Sequence, residues 1–236
     1  MKLKFSAILI LFNVLNAQIE FVYRWNDWAT HQPVLYEIAT NTTGPIIEFG
    51  CGDNSTDLLH EICKRTNRIL VTVEDDFEWM NKFAQKYLGD GYSEDNSGWH
   101  KFYFVSGKST IENDTKAEHW ITFLDNFELL KTMNFDLCFI DQSPWQARIE
   151  TILRLKNKAR YIILHDCDYF VSGALGETIQ PMNSKDCVPG IYDFSKTFKY
   201  FKVYFPLKPW PGLSGPPTLL GSDFESILPD IDYNNY

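Results

Sequence analysis

The chain has 236 residues, 44% of them apolar and 16% aromatic, which excludes the low-hydrophobicity, highly charged composition of a disordered chain. Its length suits one domain with a sizeable core. The net charge of -9, with Lys and Arg scattered, offers no basic stripe for a phosphate backbone and excludes nucleic acid as the expected partner.

The first residues, MKLKFSAILILFNVLNAQ, place lysines before an apolar stretch that ends at the small Ala17. They read as a secretory signal peptide over 1–17, too short to span a bilayer as a mature helix, rather than as a first buried helix or strand of a cytosolic domain. A single domain is expected over 18–236, with no stable membrane span in the mature chain. Sequons at Asn41, Asn54 and Asn113 fit a secretory route but also arise by chance in an Asn-rich chain. The five cysteines show no CxxC or His-rich spacing. Cys51, Cys138 and Cys167 sit in or just after apolar runs, where free thiols behave as small hydrophobes, while an exported chain could carry one or two bridges that the sequence does not assign.

Next, WATHQPVLYEIAT predicts a helix with Pro33 near its first turn, placed to cover a ligand at the first strand. Strands and helices then alternate: a strand at 45–49, a helix from Ser55 to Arg65, a strand at 69–74, and a helix from Asp76 to Tyr87. On the second helix Trp79, Met80, Phe83 and Tyr87 form one stripe. Two such units in succession indicate a parallel sheet. A turn-rich loop GDGYSEDNSG precedes a strand at 101–107, and a helix is expected over 116–131. The runs FDLCFID (135–141) and YIILHD (161–166), with a helix over 145–156 between them, are near-continuously apolar and end in acids. Central parallel strands covered on both faces read this way, and their ends point at one crevice. In the Pro-rich last third, runs at 198–205 and 217–220 predict an antiparallel pair closing the sheet edge, followed by a frayed DIDYNNY tail.

Ligands bind open parallel sheets at the carboxyl ends of the strands, where strand order reverses. The stretch IIEFGCGDNST puts Gly50 and Gly52 in such a turn. A dinucleotide fingerprint would need glycine where Ser55 stands, and a P-loop would need a lysine that this turn lacks. With Glu48 before the turn and Asp53 within it, a cationic ligand such as a sulfonium amino acid fits better than a pyrophosphate. Glu74 ends the second strand, where a carboxylate can take both hydroxyls of a ribose.

These residues, with Asp141 ending the fourth strand, resemble the class I S-adenosylmethionine-dependent methyltransferases. More narrowly, HQPVLYEI (31–38), EFGCGDNSTDLLHEIC (48–63), FIDQSP with Arg148, LRLKNKARYIILHD (153–166) and PPTLLGSD (216–223) resemble a small group within that class. The resemblance implies an α/β fold, a Rossmann-like methyltransferase three-layer sandwich with a mostly parallel seven-stranded sheet and an antiparallel C-terminal edge. It implies S-adenosylmethionine as cofactor, with Glu48, Gly50, Gly52 and Asp53 around its methionine part, Glu74 at the ribose and Asp141 beside the methyl group. The HQP block adds His31 to the cofactor contacts. Gln142 departs from the group, standing where its relatives often carry histidine.

Methyl transfer needs donor and acceptor aligned, and a base if the acceptor is a hydroxyl. His165, Asp166 and Asp141 are the catalytic candidates, His165 reading equally as a general base or as a hydrogen-bonded core histidine. Asp141 and Asp166, with Asp168, have the chemistry to share a hard divalent cation; lacking dedicated metal spacing, they read instead as acids supporting loops, and no metal site is assigned. Arg148 reads as a surface partner of Glu150 rather than a holder of an acidic substrate. Trp210, Tyr192 and Phe194 read as core before they read as an acceptor platform. The expected activity is methylation, at oxygen, of a small-molecule or glycan acceptor. The competing readings are an exported, catalytically idle binding protein on the same scaffold and an NAD-linked Rossmann oxidoreductase.

Overall fold

The computed structural model describes residues 26–107, 117–167, 194–206 and 215–233. The leader, Asp168, Cys187, Tyr192, Trp210 and Asn113 lie outside the described residues.

In chain order the elements are α1 (Gln32–Thr40), β1 (Ile46–Phe49), α2 (Thr56–Thr66), β2 (Leu70–Glu74), α3 (Phe77–Lys86), β3 (His100–Phe104), α4 (Ala117–Asn126), α5 (Glu128–Thr132), β4 (Phe135–Ile140), α6 (Trp145–Leu155), β5 (Ala159–Leu164), α7 (Phe194–Thr197), β6 (Tyr200–Tyr204) and β7 (Thr218–Ser222). One seven-stranded sheet has the order β3-β2-β1-β4-β5-β7-β6. Its first five strands run parallel and β7 and β6 are antiparallel, with β7 against β5. The expected Rossmann-like sheet and its antiparallel edge are both present.

Alternation within each strand sends side chains to two cores, because successive Cβ atoms point to opposite faces. Ile46, Leu70, Leu137 and Phe139 meet α1 and α2 on one face; Ile47, Phe49, Val71, Cys138 and Ile140 meet α4, α5 and α6 on the other. Met80 and Phe83 of α3 pack with Phe102. Cys51, Cys63 and Cys138 are buried free thiols, and Cys167 is buried as well.

Three expectations are corrected. The helix expected over 116–131 is two helices, broken at the extended Phe127, which buries its ring in the core instead of continuing the turn. The tail does not fray at Tyr233, which is buried and donates its hydroxyl to the Thr30 carbonyl at 3.2 Å. Trp79 does not share the burial of Met80, Phe83 and Tyr87; it turns to the site described below. Among the described residues, no helix is long and apolar enough to cross a membrane.

Candidate functional site

Strand order reverses between β1 and β4, and the loop after β1 lies at that switch point. Gly50 has φ +86°, and a Cβ there would stand 2.8 Å from the backbone of Asp141 and Gln142. Only glycine lets the β1 turn lie this close to the end of β4. Beyond it, Gly52 accepts the first helical bonds from Ser55 and Thr56 and starts α2. Gly52, Asp53, Asn54 and Ser55 form one wall of a cavity of about 460 Å³. Trp79 and Asp141 extend that wall, and Asn26, Trp28 and His31 fold over from the N-terminal side, as expected for a segment covering a ligand. The volume falls within the roughly 300–1,000 Å³ range of small-molecule sites.

The indole nitrogen of Trp79 donates to the Cys51 carbonyl at 2.7 Å, so the loop and α3 share a rigid aromatic side wall. Gln32 donates to the Asn54 carbonyl at 2.7 Å and Asn54 donates to the Trp28 carbonyl at 3.1 Å, tying the cover to the loop.

The two strand-end glutamates stand behind the loop, not among the residues lining the cavity. Glu48 is fully buried and accepts from the hydroxyls of Thr56 and Thr72 at 2.9–3.1 Å. Burial pushes its carboxyl up to about 8, against those hydrogen bonds. It therefore carries little charge at neutral pH, and the acids that line the cavity are Asp53 and Asp141. Glu74 accepts from the Cys51 N–H at 2.8 Å on one oxygen, and from the N–H groups of Asp75 and Asp76 at 2.9 and 3.0 Å on the other. Burial raises its carboxyl to about 7, the backbone donors opposing. Three of its roughly four acceptor sites are thus spent, one on the β1 loop and two on the turn that leads into α3.

At the other end of the cavity β4 and β5 deliver a buried charge cluster. Asp141 Oδ1 is 2.9 Å from Arg148 and 3.2 Å from His165 Nδ1; His165 Nε2 is 3.2 Å from Asp166 and 3.0 Å from the Thr30 hydroxyl. Burial alone would raise Asp141, but the charges of His165 and Arg148 hold it down at about 2. Burial works against a charged His165, yet Asp166 and Asp141 raise it above the ordinary histidine value. His31, buried and edge-on to His165 at 4.4 Å, is pushed well below that value by burial and then by His165.

Arg148 corrects its expectation. Only 4% exposed, it donates to the carbonyls of Gln142, His165 and Asp141 at 2.8, 2.8 and 3.1 Å, while Glu150 pairs with Arg154 at 2.6 Å. The i,i+2 spacing of Arg148 and Glu150 puts them on different helix faces, which was the available signal. Phe194 is core, as expected. Gln142 is buried and donates to Thr151 at 2.6 Å, away from the cavity lining. Trp28 and Trp79 were missed as site residues, because an aromatic on a helical stripe carries no mark of facing a cavity.

No family model matches the chain, and no curated protein matches it. Solved structures do. The O-methyltransferase TomG from Streptomyces achromogenes, in complex with S-adenosylmethionine, is 17% identical with a TM-score of 0.52, covering 81% of this chain and 79% of its own. Cofactor-bound Rv0187 from MTB is 15% identical with a TM-score of 0.51, covering 88% and 83%. With its strand order and switch-point loop, the chain has the fold of the class I S-adenosylmethionine-dependent methyltransferases.

Proposed function

We propose that the chain is an S-adenosylmethionine-dependent methyltransferase acting at an oxygen of a small-molecule or glycan acceptor. The observation that carries this reading is the switch-point cavity itself, walled by the Gly52–Ser55 loop and Asp141 and covered by Trp28 and His31. Bound there, S-adenosylmethionine would supply a methyl group activated on a sulfonium.

The chain's own residues then have three tasks. Asp53 and Asp141 put carboxylates on the wall, Asp141 paired with Arg148 and His165, and a wall of acids suits a sulfonium better than the pyrophosphate of a nicotinamide cofactor. Trp79 and the loop backbone provide a fixed surface for the cofactor, and Trp28 and His31 exclude water from above. Arg148 and His165 fix Asp141 beside the reacting centre, acting through it as positioning residues; Asp166 supports His165. Asp141 and His31 are the groups that face an acceptor. Incubation with methyl-labelled S-adenosylmethionine and a panel of phenols, alcohols and glycans should give acid-stable O-methyl products.

The second reading, a protein that binds its ligand without turnover, draws on Glu74, whose oxygens are occupied by backbone N–H groups of the β1 loop and of its own turn. Binding of the demethylated cofactor with no transfer to any acceptor would favour it. Export through a cleaved leader remains part of the proposal, and mass spectrometry of the mature chain tests it: a start at Gln18 supports cleavage, and a retained Met1 opposes it.

A further inference from the structure

His31 stands on the cavity wall with an unusual deficit. It is 1% exposed, and neither of its ring nitrogens makes a hydrogen bond of sound geometry, a loose contact with the Asn54 backbone aside. A buried polar atom left without a partner is costly, so a ring with neither nitrogen soundly bonded at a cavity wall points to a ligand that completes it. The ring is held by packing alone, 4.7 Å from Phe139 and 4.4 Å from His165. One ligating atom from each of His31, Asp141 and His165 lies within 4.8 Å of the other two.

We infer that His31, Asp141 and His165 form a binding site for a divalent transition metal of the zinc or iron class. Two imidazoles and one carboxylate suit such ions, whereas magnesium and calcium prefer all-oxygen sets. Three protein ligands leave coordination positions for an exchangeable group, and His31 and Asp141 line the cavity from which it would come. Tetrahedral coordination at about 2.1 Å requires ligand atoms about 3.4 Å apart. His165 Nδ1 and Asp141 Oδ1 already stand at 3.2 Å; the ion would displace the proton they share, and His31 is the ligand that must approach. The supporting contacts of a metal site are present as well. Asp166 and the Thr30 hydroxyl hold His165 Nε2, which leaves Nδ1 as its ligand atom, and Arg148 fixes the Asp141 carboxylate. This set differs from the all-acid arrangement of Asp141, Asp166 and Asp168 considered from the sequence, in both donor type and members. Resting on the methyltransferase reading, the ion would bind the acceptor hydroxyl and lower its pKa, so that it releases its proton to water before its oxygen takes the methyl group.

The test is calorimetric titration of the chelator-treated full chain with Zn²⁺, with Mg²⁺ as the hard comparator and S-adenosylhomocysteine in a separate arm. One Zn²⁺ should bind per chain, with Mg²⁺ failing to displace it. His31→Ala should weaken Zn²⁺ at least about 100-fold, beyond the roughly 10–100-fold that loss of a supporting contact costs. His31→Gln, which keeps more of the ring's volume, replaces it if the alanine variant fails to fold. Absence of Zn²⁺ binding by folded wild type, or affinity unchanged in the folded His31 variant, overturns the site. Zn²⁺ binding without S-adenosylhomocysteine binding keeps the site and overturns the methyltransferase reading; the reverse result does the opposite.

Discussion

Replacing Glu48 by Gln should flatten the pH dependence of stability. Glu48 sits between β1 and α2 with no exposed surface, its carboxyl raised from an ordinary 4.5 to about 8 chiefly by burial. Below pH 4.5 the group is protonated in both states; between there and 8 the unfolded chain ionises while the folded chain keeps its proton. The stability it contributes is therefore fully present at low pH and is lost as pH rises toward 8, by up to about 1.4 kcal/mol per unit. From pH 6 to 8.5 this one group should cost wild type about 2–3 kcal/mol that the variant does not lose. The amide keeps the volume, and its one oxygen, set where Oε2 stands, still accepts from both Thr56 and Thr72, so nothing else in the core need move. Urea unfolding of both proteins at pH 6 and 8.5 reads the difference directly, since other titrating groups are common to the pair. Equal pH slopes in the two proteins would refute the claim that Glu48 is held neutral.

Arg148→Ala should destabilise the fold by about 3–5 kcal/mol, because it strips a buried cation from Asp141 and three carbonyls, and thermal unfolding measures it. Gly50→Ala should cost at least about 1–3 kcal/mol for its positive φ alone, with the clash against the Asp141 backbone added; stability within error of wild type would mean that the β1 turn is not as close to β4 as described. Expressed through a glycosylating route, the chain should carry its glycan on exposed Asn41 in preference to Asn54, whose side chain is half-buried at the cavity and bonded to Trp28. Peptide mapping distinguishes the two sites.

The strands of the parallel core were legible because each is a short apolar run ending in an acid or glycine, and burial on both faces leaves that signature. Their order places Gly52, Asp53, Asp141 and His31 around one cavity. Residues whose roles come from distant contacts were not legible. Arg148 looks like any helix arginine until the ends of β4 and β5 supply it with carbonyls, and Tyr233 looks like tail until Thr30 accepts its hydroxyl. Glu48 and Glu74 carry acids at the expected strand ends, but sequence position does not tell a carboxylate facing the cavity from one turned onto the loop. His31 was tied to the cofactor through the HQP block, while its lack of hydrogen-bond partners belongs to the packed state alone.

The central claim is that the switch-point cavity holds the methyl donor, and Gly52→Leu probes it without disturbing the fold. A Cβ at Gly52 meets nothing closer than the Ser55 hydroxyl at 4.0 Å, so the side chain can be added without a clash at its root, on a residue that walls the cavity. Calorimetric titration with S-adenosylhomocysteine should give one-to-one binding by wild type and none by Gly52→Leu, with the two proteins unfolding at similar temperatures. No binding by folded wild type, or equal binding by the variant, would contradict the account.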